Sequence, residues 1–131
     1  MESVATIQRN MAMAIGTEGY IKHSLVNCLV FTDGIKQLRE DTDAFWLVDA
    51  IASYQPQYKH IPFQLWELKV NEDKSAVLTM KEDSNTPVLV KQEFDFTDFP
   101  LKSIKFYVEE GGYGTEDDWH ECLVLMLPSE R

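Results

Sequence analysis

Apolar positions along the chain keep two different periods. Over residues 1–56 they recur every three or four places, the spacing of one helix face; over residues 62–128 they alternate, the spacing of a half-buried strand. A run of helices followed by a run of strands predicts an α+β fold. The expected architecture is N-terminal helices packed on one face of a mostly antiparallel, five-stranded meander sheet. It is read as a single domain over residues 1–131, with a helical part at 1–56 and a sheet part at 62–128.

The first helix is expected over about residues 4–15, stopping at Gly16 as a C-cap, with Thr17 to Tyr20 as a connection. Residues 20–31 fit either a helix carrying Tyr20, Leu25, Cys28, Leu29 and Phe31, or a short strand at Leu29-Val30-Phe31-Thr32. Thr32 or Asp33 is placed to cap a second helix through Ile35, Leu38 and Arg39, and Asp43 to cap a third. That third helix, residues 45–55, is apolar almost all the way round and ends before Pro56. Asp49 stands in its middle.

The strand part begins at Phe63, with Trp66, Leu68 and Val70 on one face. Residues 71–74 form a turn, and Ala76, Leu78 and Met80 then point inward. After a second turn at 83–87, one face collects Val88, Val90, Gln92, Phe94 and Phe96. A fourth strand aligns Ile104, Phe106 and Val108. Residues 122–127 are apolar on both faces, which places the last strand centrally or under cover on both sides. Between the last two strands, residues 109–118 read as a flexible loop with three glycines.

Charge narrows the function classes. The chain has 131 residues, 22 acidic against 12 basic, for a net charge of −10. Phosphate contact dominates nucleic-acid affinity, so direct nucleic-acid binding is disfavoured. An apolar fraction of 44% suffices for a core. No apolar run reaches the roughly 20 residues of a membrane span. Met11-Ala12-Met13-Ala14-Ile15 is too short for a signal-peptide core, so a cytoplasmic location is expected. Cys28 and Cys122 are too few for a disulfide scaffold and are expected to be free.

No phosphate-binding glycine loop, dinucleotide fingerprint or paired Cys-x-x-Cys motif is present, and no cofactor is expected. His120 and Cys122, two apart on one strand, share a face. With His23, His60, Asp33 or Asp49 they are candidates for a zinc site, or for a Cys–His nucleophile pair. As buried cysteine and lone histidine they need neither role. Asp49 is the better single candidate. Surrounded by Phe45, Trp46, Ala52 and Ser53, its carboxyl would hold its proton and suit a general acid, alone or with His23 or Asp33. The plainer reading pairs it with a residue such as Lys22 or His23. From Glu109 to Glu121 there are six acids and no Lys or Arg. That stretch is either a solvated hairpin end or a site for something positive. Tyr54 and Tyr58, in a polar-aromatic connection ending at His60, have the composition of a protein interface.

Several segments together resemble a known family. They are Gly16-Thr17-Glu18 with Tyr20 and His23, Phe31-Thr32-Asp33-Gly34, residues 45–55, Pro62-Phe63-Gln64-Leu65-Trp66, Thr97-Asp98-Phe99-Pro100-Leu101 and Leu127-Pro128-Ser129-Glu130. In order and spacing they resemble a family of small uncharacterised bacterial proteins with a domain-of-unknown-function label. The resemblance spans nearly the whole chain. It implies accessory genes, often of plasmids, phages and other mobile elements, and supplies neither an activity nor catalytic residues. It draws attention to Tyr20, His23, Asp33 and Asp49, while residues 109–118 lie outside the matching segments.

The expectation that follows is a protein-interaction or inhibitor module rather than an enzyme. It would bind a host or defence protein with a basic surface through Glu109, Glu110, Glu116, Asp117 and Asp118, with Tyr54 and Tyr58 beside them. The alternative is a small-molecule binder or enzyme with a pocket between helices and sheet around Asp49. A homo-oligomer is compatible with either.

Overall fold

The computed structural model describes residues 1–14, 20–26 and 28–131. The predicted cap at Gly16 and the connection through Gly19 lie outside the described residues. Helix α1 (Val4–Met13) starts at Ser3, whose Oγ accepts from the Thr6 N–H at 3.2 Å. It buries Ile7 against the core. The ambiguous stretch that follows is extended, giving two short strands, β1 (Ile21–Lys22) and β2 (Leu29–Phe31).

Helix α2 (Asp33–Thr42) is capped by Thr32, one of the two residues expected. Helix α3 (Phe45–Ser53) is not capped by Asp43. Asp43 instead takes the left-handed conformation that ends α2, at φ 55°, and its carboxylate meets the N-terminal ammonium of Met1 at 3.2 Å. Helix α3 ends at Ser53, two residues before the expected end at Gln55, and Pro56 lies at the start of a short helix α4 (Gln55–Tyr58). A proline is tolerated there because its missing N–H would have had no partner.

The strands continue as β3 (Phe63–Val70), β4 (Ala76–Lys81), β5 (Val88–Phe94), β6 (Ser103–Thr115) and β7 (Asp118–Met126), with a final 3-10 turn at Pro128–Glu130. Among the described residues the sheet has seven strands in the order β1-β2-β7-β6-β3-β4-β5. This corrects the five-stranded meander in two respects. First, β1 and β2 add to one side, and β2 runs parallel to β7 while the other pairs are antiparallel. Second, β6 does not pair with β5 but lies on the far side of β3. The connection from β5 to β6 passes under the β3–β4 turn. Thr97 donates to the Lys74 carbonyl and Val70 to the Lys102 carbonyl, both at 2.8 Å. Phe99 and Leu101 are buried on the way, so the crossing has its own apolar anchor.

The helices cover one sheet face. Trp66, Leu68, Leu78, Phe106, Val108 and Leu125 meet Ile7, Ile35, Leu47 and Ile51 there. On β5 only Val90 of the predicted face is fully buried; the register shifts between Met80 and Lys81, and Val88 and Phe96 are exposed. Strand β7 is central, as its two-sided apolar pattern predicts. Leu123 and Leu125 join the main core, while Val124 and Met126 form a smaller cluster with Val30 on the opposite face.

The predicted loop at 109–118 is a hairpin instead. Strand β6 runs to Thr115 and β7 starts at Asp118, leaving Glu116 and Asp117 as the turn. The glycines serve the hairpin geometry. Gly114 has φ 114°, and any Cβ there would strike the Asp118 carbonyl. Pairing with β3 ends at Phe63↔Glu109, and pairing with β2 reaches only Leu123. Residues 111–115 and 118–122 therefore extend as a two-stranded ribbon past the rest of the sheet.

Candidate functional site

The ribbon carries most of the chain's candidate chemistry. On one of its faces Tyr113 lies opposite His120, with ring centroids 5.1 Å apart and nearly parallel planes. Lys22 approaches this stack from β1, its ammonium 5.3 Å from the Tyr113 centroid. A hydrogen bond with the Tyr113 side chain raises the Lys22 pKa above its ordinary value. His120 also faces Asp118, Nε2 to Oδ1 at 3.1 Å. On the other face lies Trp119, 56% exposed, with its indole laid across Gly112, where a Cβ would collide with the ring. Glu110 and Glu121 line a cleft with it, and Glu116 and Asp117 stand exposed at the turn. Glu109 is different. It is half-buried and its Oε2 accepts from Arg131 Nε at 3.0 Å, so a cation of the chain itself already meets it.

Where the ribbon leaves the sheet there is a cleft of about 620 Å³. Trp119, Glu110, Glu121 and Lys59 line it, with Cys28 and Cys122 at its wall. Acids and one lysine around an indole make a surface for a cationic or amphipathic group, since the face of tryptophan attracts cations.

Asp49 does not sit in an apolar pocket. It lies on the solvent side of α3, with its side chain 56% exposed, so the burial that a general acid needs is absent. Its Oδ1 is 2.7 Å from Nε2 of His23, the plainer pairing anticipated from sequence. His23 itself is buried. Its Nδ1 accepts from the backbone N–H groups of Leu25 and Val26, at 3.1 and 3.2 Å. An Nδ1 that accepts twice carries no proton, so Nε2 bears the hydrogen and donates it to Asp49. Each ring nitrogen is thus engaged in holding the 23–26 turn against α3. Asp33 is not part of this pair. It opens α2 and lines a separate hollow with Asn10, Met13 and Gln37.

The zinc set is not assembled. Among the described residues no group of three or more His, Cys, Asp and Glu side chains is arranged to hold a metal ion. His23 belongs to Asp49, His120 to Asp118 and Tyr113, and His60 is exposed in the turn before β3. The Cys–His pairing fares no better, because Cys122 packs with the Val30 cluster beside a second cysteine. Tyr54 and Tyr58 are half-buried rather than freely exposed. Their hydroxyls donate to Gln92 Oε1 at 2.8 Å and to the Leu89 carbonyl at 3.4 Å.

Sequence reading missed Trp119. Its signal was a glycine diagonally across a hairpin from an aromatic, legible only once the hairpin register is known. It also missed Gln55 and Gln64, which are fully buried and exchange amide hydrogen bonds at 3.0 Å. Trp66 Nε1 adds a third bond to Gln64 Oε1 at 2.9 Å, so this polar group inside the core is well satisfied.

These features define a small α+β protein with a helix-covered mixed sheet and a projecting acidic ribbon. The chain belongs to the Family of unknown function (DUF6876), which it matches over residues 5–131. No curated protein and no solved structure matches it. Among the described residues no helix is long and apolar enough to cross a membrane.

Proposed function

We propose that this protein is an interaction module of the cytoplasm, encoded by a mobile element, that binds a basic surface on a host or defence protein through its ribbon. The observation that carries the reading is Trp119, a large side chain 56% exposed in the midst of the ribbon's acids. Tryptophan is enriched among the residues that dominate interface energies, and a surrounding ring of charge sets partner choice and association rate. Glu110, Glu116, Asp117 and Glu121 supply that ring, whereas Glu109, Asp118, Tyr54 and Tyr58 play a smaller part because partners within the chain engage them.

Affinity capture from a bacterial lysate, quantified by mass spectrometry, tests this. The intact protein should retain a basic protein that is lost both with Trp119→Ala and with Glu116, Asp117 and Asp118 reversed to Lys. Retention undiminished by either change, or no specific protein at all, overturns the reading.

A second reading, a small-molecule binder or enzyme, draws support from the cleft beside Trp119 rather than from Asp49. Lys59 opposite Glu110 and Glu121 would suit a zwitterionic ligand there. A homo-oligomer remains compatible with both, using the edge strand β5, where Val88 and Leu89 are exposed.

A further inference from the structure

Cys28 immediately precedes β2, and Cys122 lies in β7. These strands are parallel neighbours, with Leu29 opposite Leu123, and the Leu123 N–H donates to the Cys28 carbonyl at 2.9 Å. One step back along both strands sets Cys28 beside Cys122. Cys122 packs with Val30 and Val124 on the sheet side away from the helices, and the Cys28 thiol is near enough to add to the rise of the Cys122 pKa. Both thiols are free and both cysteines are half-buried, so solvent reaches them in part. Neighbouring strands are about 4.8 Å apart, inside the roughly 4.4–6.8 Å Cα range that a disulfide spans.

We propose that Cys28 and Cys122 form a reversible dithiol–disulfide couple that staples β2 to β7 and exchanges with small disulfides from solvent. The inference stands whether or not the ribbon binds a partner.

The exchange has two steps. The Cys28 thiolate attacks one sulfur of the small disulfide; that S–S bond breaks, and the first small thiolate leaves and is protonated. The Cys122 thiolate then attacks Cys28 Sγ of the mixed disulfide. A Cys28–Cys122 bond forms and the second small thiolate leaves. The protein loses two electrons and two protons, and the small disulfide gains both as two thiols. Cys28 is the attacking group because burial, and secondarily Cys28 itself, push the Cys122 thiol up and keep it protonated longer. The strands that follow the two cysteines are already paired, Leu29 with Leu123.

The test is equilibration of the full-length protein in buffers of graded oxidised-to-reduced glutathione, then acid quenching, alkylation and intact mass spectrometry. The expected product is lighter by two hydrogens, takes up no alkylating agent, and returns to the dithiol with dithiothreitol. Peptide mapping should join Cys28 to Cys122 within one chain. Cys122→Ser should instead accumulate the mixed disulfide at Cys28. Two freely alkylated thiols across the whole range overturn the proposal, as do a persistent adduct on the native protein or a bond between two chains. Mapping of the native protein decides the matter even if the serine variant fails to fold.

Discussion

At the residue scale the informative pair is His23 and Asp49. The sequence singled out both and offered their pairing, but for the wrong reason, because it buried the carboxylate. The structure buries the histidine instead, 3% exposed at its side chain, and leaves the aspartate in water. An amphipathic pattern cannot reveal this, since α3 is apolar on nearly every side and its solvent stripe is only as wide as Asp49 and its exposed neighbours. A buried N–H deprived of its acceptor costs about 1–3 kcal/mol. Asp49→Ala should therefore lower unfolding stability by about 1–2 kcal/mol in urea denaturation. Asp49→Asn, which keeps an accepting oxygen, should cost well under half of that. Equal stability of all three proteins would show that water replaces the carboxylate fully.

At the element scale, helix α2 draws part of its N-terminus from the far end of the chain. Glu130 Oε1 accepts from Thr32 Oγ1 at 2.6 Å and from the Leu127 N–H at 3.1 Å, and Oε2 accepts from the Gly34 N–H at 3.2 Å. The carboxylate meets free backbone donors at the positive end of the helix dipole. Thr32 as a cap was legible locally from its place before an amphipathic run, whereas Glu130, 98 residues away, was not. Glu130→Ala should destabilise the protein by about 1–2 kcal/mol, with Glu130→Gln intermediate. A thermal midpoint unchanged in the alanine variant would count against the cap. The hairpin of β6 and β7 makes the same point. Three glycines within residues 111–114 resemble a flexible loop in sequence, yet here they admit a tight turn and a tryptophan ring.

At the scale of the whole molecule, a net charge of −10 makes the protein repel itself electrostatically. Such self-repulsion destabilises the compact state and is screened by salt, with a Debye length of about 30 Å at 0.01 M and about 8 Å at 0.15 M. The thermal midpoint should rise between those ionic strengths at neutral pH. A midpoint that falls would mean that the ion pairs, such as Arg131 with Glu109, outweigh the repulsion.

The sequence by itself determined the α+β class, the places of α2 and α3, the strands β3, β4, β5 and β7 and the first half of β6, and that β7 is covered on both faces. These follow from local period and from burial on one or two faces, which each segment records in its own residues. Strand order was a matter for the tertiary structure. The crossing of residues 95–102 beneath the β3–β4 turn, the parallel pairing of β2 with β7, and the meeting of Cys28 with Cys122 depend on partners distant in the chain. No local pattern encodes which partner that will be. The same holds for the candidate site. The acids of the ribbon were visible as composition, but Trp119 stands among them only through a register that pairs it with Gly114 and lays its ring over Gly112.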